Sequence, residues 1–186
     1  MPSVKINIAI LADALKPITM SQPTIILQPE QVKQKIRRLA FQIWEANFDE
    51  KRILLAGVKN RGLQLAELLA ADLHEISGME VVVTYIRLNK DNPVCDEITT
   101  GVNPVDWKNG VVVVVDDVAH TGRTLLYALK PFMSELYKRL QIAVLVDRAH
   151  KTYPVHADFM GLSLATTLQD NVQIEFDDAG VKVLLS

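Results

Sequence analysis

The sequence predicts a single α/β domain with a central parallel sheet and helices on both faces. Three observations carry this. Short apolar runs alternate with segments whose apolar residues repeat at helical spacing, the pattern of parallel strands joined by crossover helices. Val111 to Val115 is an unbroken run of valines, suited to a central strand buried on both faces. The chain has 186 residues, and at roughly 150 residues per domain little is left for a second one.

The elements follow in order. Pro29 stands where a first helical turn tolerates proline. Val32, Ile36, Leu39 and Ile43 then form one apolar helix face that ends near Asn47. Ile53 to Ala56, closed by Gly57, is a buried strand. Leu63, Ala66, Leu69, Ala70 and Leu73 make a second helical face, and Val81 to Ile86 is β-branched and aromatic, hence a strand. Arg87 to Gly110 lacks periodicity and reads as a long loop, a kind that is commonly functional or mobile. After the valine run, Leu125, Leu129, Phe132, Leu136 and Leu140 give a third helical face kinked at Pro131. Ile142 to Val146 is a further buried strand. Asp158 to Leu162, Val172 to Phe176 and Val181 to Leu185 are short strands, the last two joined by a hairpin turn at Asp177 to Gly180.

Composition narrows the function. With 22 acidic and 20 basic residues, the formal net charge is −2, which argues against a protein built mainly to neutralise phosphate backbones. The lone Cys95 excludes an internal disulfide framework and a cysteine-rich zinc site, and fits a reducing cytoplasm. It is expected to be a free surface thiol. No apolar run approaches the ~20 residues that span a bilayer, and Ile6 to Leu11 is too short and polar for a signal peptide. Residues 1–23 read as an appendage, with Met20 as an alternative start. Trp44 and Trp107 are expected to pack, and His74 to be solvated at a helix end.

In a parallel sheet, ligands bind outside the carboxyl ends of the strands. Two strand ends here carry chemistry. After the valines come Asp116 and Asp117, then His120, Thr121, Gly122, Arg123 and Thr124 opening a helix. Gly122 lets the backbone come close, the threonines supply hydroxyls, and the free N–H groups of a helix start favour a phosphate. The carboxylates suit the hydroxyls of a ribose or a phosphate-bound metal. The competing reading makes the aspartates helix caps and the turn only a turn. The other end reads Gly57, Val58, Lys59, Asn60, Arg61, Gly62. Its glycine spacing begins a nucleoside-triphosphate loop, but Leu63 and Gln64 stand where Lys and Ser or Thr are needed. What remains is a Gly-bounded basic loop for a second anion, or a tight turn with solvated cations.

Residues 112–124, VVVVDDVAHTGRT, closely resemble the signature of the type I phosphoribosyltransferases. GVKNRGLQLAELLA at 57–70 and LVDRAHKTYPVHADFMG at 145–161 resemble the PyrR-like subfamily of pyrimidine-operon regulators and uracil phosphoribosyltransferases. The likeness runs in order over residues 24–186, the phosphoribosyltransferase domain. It implies phosphoribosyl pyrophosphate as ligand, with Mg²⁺ arriving on it and no metal held by the protein alone. It assigns the ribose hydroxyls to Asp116 and Asp117, and the 5′-phosphate to Thr121, Gly122, Arg123 and Thr124. Val58, Lys59, Asn60 and Arg61 become the pyrophosphate loop, where relatives often hold a cis peptide. A flap spans about 88–108 and a small C-terminal hood about 147–186. The second substrate is a nucleobase, a pyrimidine such as uracil being favoured. The implied partner is a second copy in a cytoplasmic homodimer, with no membrane.

Some positions depart from the pattern. His120 stands where the purine enzymes carry a general-base Asp and the PyrR-like proteins usually Tyr, so it is either a proton shuttle or a bystander. Ser163 replaces the amide expected to read a pyrimidine edge, leaving Asp147 and the backbone from Phe159 to Gly161 as base contacts. A regulator that senses nucleotides or binds RNA is the alternative to an enzyme. Phe41, His156 and Leu162 replace expected RNA-contacting residues, while His150 and Lys151 persist.

Overall fold

The structure, a computed structural model, describes residues 23–165, 170–177 and 180–186. The expectations for residues 1–22 lie outside these, as does the tip of the C-terminal hairpin at 178–179. The chain begins with β1 (Thr24–Leu27), which the sequence reading missed, and α1 (Pro29–Ala46). β2 (Arg52–Val58), α2 (Arg61–Ser77) and β3 (Glu80–Arg87) follow. After the short β4 (Thr99–Thr100) and one 3₁₀ turn (Pro104–Trp107) come β5 (Val111–Ala119) and α3 (Arg123–Ala128). β6 (Arg139–Arg148), β7 (Phe159–Leu164), β8 (Val172–Asp177) and β9 (Gly180–Leu185) complete the chain.

The main sheet has the order β4-β3-β2-β5-β6-β7, and all but β4 run parallel. Each β5 valine serves one face: Val111, Val113 and Val115 meet the core under α1 and α2, and Val112 and Val114 meet the core under α3. All five are fully buried, as an unbroken β-branched run requires. α1 buries Val32, Ile36, Leu39 and Ile43 as the spacing predicts. Its start is fixed by the Gln28 N–H donating to Gln31 Oε1 at 2.9 Å. Its end is closed by the buried Asn47 amide, which donates to Ile43 O and Gln141 Oε1.

Three expectations need correction. The helix expected through Leu140 stops at Ala128, passes into a 3₁₀ turn at Lys130–Phe132, and leaves Leu136 78% exposed. Pro131 has no N–H to continue the ladder, so it ends the helix instead of kinking it. Leu140 belongs to β6. Residues 159–164, assigned to the hood, are the edge strand of the main sheet, because β7 pairs parallel with β6. The small second sheet joins both ends of the described chain, with order β1-β9-β8 and antiparallel pairing. Residues 88–108, expected as a flap and read as a loop, also have internal structure, leaving β3 and returning as β4 with Ile86 opposite Thr100.

Trp107 is buried with the Arg52 guanidinium 4.5 Å from its ring centroid, and Trp44 packs beside Phe41, centroids 6.3 Å apart. His74 is exposed in the last turns of α2. Among the described residues no helix is long and apolar enough to cross a membrane.

Candidate active site at the carboxyl ends of the strands

From β2 the chain moves outward to β3, then returns to place β5 on the other side of β2. The crevice of such a reversal opens between the carboxyl ends of β2 and β5, where the two strand-end loops lie. Gly57 and Gly62 permit the close fit. A Cβ on Gly57 would lie 2.5 Å from Leu63 Cα, and one on Gly62 only 2.7 Å from Val115 O and 3.1 Å from Asp116 Cα. The basic loop is thereby pressed against the aspartate strand. Its backbone is unusual at Asn60, with φ 77° and ψ −114°, a conformation that costs a non-glycine residue about 1–3 kcal/mol. The cis peptide expected by resemblance is not present, since the described peptide bonds are all trans.

Asp116 and Asp117 are both buried, at 1% and 7% exposure. Asp117 N–H donates to Asp116 Oδ1 at 3.0 Å. Lys90, from the flap, places Nζ 3.4 Å from the same oxygen, and Arg61 Nη1 lies 4.0 Å from Asp117 Oδ2. Burial pushes the Asp116 carboxyl up to about 7, Lys90 opposing the rise and the Asp117 charge adding to it. Asp116 does not itself line a cleft, but its neighbour Asp117 does, and a carboxyl so displaced beside a cleft marks a candidate site. The helix-cap reading of the pair fails, because α3 starts after Gly122 and neither carboxylate reaches its first turn in the hydrogen-bond pattern.

Gly122 takes φ 86°, a left-handed conformation that favours glycine. Thr121 Oγ1 accepts the Arg123 N–H at 3.3 Å. A small cavity of about 50 Å³ is lined by residues 118–125, with Thr121, Gly122, Arg123 and Thr124 among them. The Arg123 guanidinium donates to the Lys90 carbonyl at 2.9 Å. The segment after β3 is thus fastened at one residue twice, through the Lys90 ammonium to Asp116 and the Lys90 carbonyl to Arg123.

A larger cleft of about 570 Å³ adjoins it, lined by Lys59, Asn60, Arg61, Lys90, Asp117, Val118, His120, Arg148, Asn171 and Val172. Both strand ends meet there. Val58 does not line it, being buried at the end of β2. The three expected base contacts are not all brought together, and none lines this cleft. Asp147 and Ser163 are register partners on β6 and β7, but Asp147 is ion-paired with Lys151 at 2.6 Å. Phe159 lies at the opposite end of β7, beside Ala143, buried in the core under α1. Four residues along a strand separate it from Ser163, and that distance removes it from the crevice.

Lys90, Arg148, Asn171 and Val172 were missed. Arg148 had a signal, since it ends a buried strand next to Asp147. Asn171 and Val172 had none, because only the second sheet brings them over the crevice. Arg148 is a 1% exposed guanidinium with Nη1 2.6 Å from His120 Nε2. Lys151, which persists where the resembling regulators carry RNA-contacting residues, turns inward: its Nζ contacts Asp147 Oδ1, Arg148 O, Ala119 O and His120 O within 3.4 Å. Cys95 is exposed, and its hydrogen bond to the Asp96 carboxylate pushes the thiol up, away from a reactive thiolate.

Comparison with known proteins agrees with this layout. The family described as phosphoribosyl transferase domain matches residues 23–179. "Bifunctional protein PyrR" of Bacillus pumilus is 33% identical over 168 residues, covering 86% of this chain and 93% of its own length. The protein of that name from Listeria welshimeri is 32% identical, covering 86% and 92%. A hypoxanthine phosphoribosyltransferase structure from Trypanosoma cruzi superposes with a TM-score of 0.68 at 17% identity, covering 86% of this chain and 95% of the other. A Bacillus anthracis hypoxanthine-guanine phosphoribosyltransferase gives 0.62 at 22% identity, covering 77% and 84%. At these identities the two structures establish likeness of fold.

Proposed function

This chain belongs to the type I phosphoribosyltransferase family, and we propose that it transfers ribose 5-phosphate from phosphoribosyl pyrophosphate to a pyrimidine base such as uracil. The observation that carries this is the cleft in which Asp117 meets Lys59, Asn60 and Arg61 of the basic loop that Gly57 and Gly62 press against the strand, with the fully buried Asp116 accepting the Asp117 N–H beside it. In the reaction a base nitrogen bonds to the anomeric carbon as that carbon's bond to pyrophosphate breaks. The bonding pair leaves with pyrophosphate, and the proton of the base nitrogen passes to pyrophosphate or solvent. The carboxylates of Asp116 and Asp117 accept the ribose hydroxyls and face the positive charge that develops on the sugar. Lys59, Arg61 and Lys90 line the same cleft and offset the charge of the leaving phosphates. The Thr121–Thr124 turn offers hydroxyls and backbone N–H groups to the 5′-phosphate. Flap closure through Lys90 excludes water, which would otherwise hydrolyse the sugar.

Mg²⁺ fits the donor set. Asp116 and Asp117 offer hard carboxylate oxygens, and Mg²⁺ is commonly held by one or two carboxylates with substrate phosphates and water completing its shell. Bound there, it supplies charge neutralisation of the phosphates.

The competing reading is an RNA-binding regulator. The inward Lys151 favours turnover, because its ammonium is spent on protein oxygens and not on phosphate contacts. We take the working unit to be a cytoplasmic homodimer, the commonest assembly of soluble oligomers. The test is pyrophosphate release with Mg²⁺, phosphoribosyl pyrophosphate and one base at a time. Release with a pyrimidine alone supports the proposal. Joint Asp116→Asn and Asp117→Asn substitution abolishes phosphoribosyl pyrophosphate binding while the chain stays folded. Unchanged binding by that folded variant refutes the site, and salt-sensitive RNA binding without release favours the regulator.

A further inference from the structure

Arg148 ends β6 and brings a guanidinium inside the protein beside the cleft. Its Nη1 is 2.6 Å from Nε2 of His120. A guanidinium is charged at every working pH and can only donate. The ring nitrogen that meets it must therefore be the acceptor. Of the forms of histidine, only the neutral ring with its proton on Nδ1 offers a lone pair at Nε2. The other tautomer and the imidazolium would each aim a proton at Arg148.

The surrounding charges act in the same direction. Partial burial lowers the His120 pKa first, and the cations of Arg148, Lys151 and His150 add to the effect. Three carboxylates at these strand ends face other cations, Asp147 facing Lys151, Asp117 facing Arg61 and Asp116 facing Lys90. Lys59 and Lys90 line the same cleft and bring further positive charge. Lys151 also pins the main chain on both sides of the pair, through Ala119 O and His120 O on one strand end and Arg148 O on the other. A ring so held carries an N–H to offer and has its lone pair already spent.

We propose that Arg148 is a positioning residue that holds His120 as a neutral Nδ1–H donor, so that His120 recognises a carbonyl oxygen of the base and does not remove the base's proton. The inference rests on reading the cleft as a nucleobase site. It narrows the substrate class to oxo-bases and assigns discrimination against amino-bases to His120. A site built around one donor leaves that donor unpaired when an amino group takes the oxygen's place.

The first test is NMR of ¹⁵N-histidine in the full chain, which reads the ring whether or not the protein turns over. His120 is expected as the Nδ1–H tautomer at pH 7, titrating below the ordinary histidine range. Arg148→Met shifts the ring to the Nε2–H form and raises its midpoint, and Arg148→Lys restores the wild-type pattern. If Arg148→Met does not fold, the Lys variant and the wild-type tautomer still decide. The second test is pyrophosphate release with uracil and with cytosine. His120→Asn, which keeps an N–H donor, lowers kcat/KM for uracil about tenfold, whereas His120→Asp, which offers only acceptors, lowers it about a thousandfold. An Nε2–H ring or an imidazolium in the wild type overturns the inference, as does a His120→Asp variant more active than His120→Asn. The expected tautomer with no release from any base overturns the transfer reading, and with it the role of His120 in base recognition.

Discussion

Asp116→Asn is expected to stabilise the fold while it disables the site. The Asp116 carboxyl is fully buried, and its pKa is raised from 3.8 to about 7. Between about pH 4 and pH 7 the folded chain keeps a proton that the unfolded chain has released. Raising the pH through that window therefore removes stability, and the loss is complete above about pH 7. The shift is roughly 3 units, and at about 1.4 kcal/mol per unit the cost at pH 8 is on the order of 4 kcal/mol. Asparagine keeps an Oδ1 to accept the Asp117 N–H and carries no charge to desolvate. The lost attraction of Lys90 is already contained in the net shift. The variant should gain on the order of 4 kcal/mol at pH 8, about 10 °C in Tm for a chain of this size, and only about 1–2 kcal/mol at pH 5. Urea unfolding of both proteins from pH 5 to pH 8 measures the gap. Equal stability at pH 8, or the same gap at both ends of the range, would refute the assignment of that cost to the buried carboxylate.

Gly62→Ala should push the basic loop off the aspartate strand, because its Cβ would meet backbone atoms of Val115 and Asp116 that cannot yield cheaply. We expect a destabilisation of about 1–3 kcal/mol, as for overpacked cores, and at least a tenfold weaker binding of phosphoribosyl pyrophosphate by calorimetry. A variant that binds normally would show that the close approach does not matter. Lys151→Met leaves the half-buried Asp147 without its partner, which should cost about 1–3 kcal/mol in chemical denaturation. Adding Asp147→Asn should recover much of that loss, and a double variant no better than the single would refute the pairing as its cause.

How much of this was legible in advance depends on the range of the interaction. The strands at Ile53 to Ala56 and Val111 to Val115, and the α1 face from Val32 to Ile43, were readable because burial imprints a local period on the chain. The grouping of Asp116, Asp117 and the Thr121–Thr124 turn at one strand end was readable because the residues are consecutive. Gly57 and Gly62 were visible as a pair, though not what they approach.

Contacts between distant segments left no such imprint. Leu136 kept helical spacing although Pro131 had already ended the helix. Phe159 and Ser163 looked like neighbours in one base pocket, yet the rise of a strand sends them to opposite ends of the sheet. β7 looked like part of a hood because a short apolar strand carries no mark of which sheet it joins. By itself the sequence determined the parallel α/β layout and which two strand ends carry the clustered acidic, basic and hydroxyl side chains, since local pattern and adjacent residues suffice for both. Only the tertiary structure decided that Lys90 reaches Asp116, that Arg148 meets His120, and that Asn171 and Val172 close over the cleft. Those pairs are far apart in the chain, and the sheet order and register alone bring them within reach.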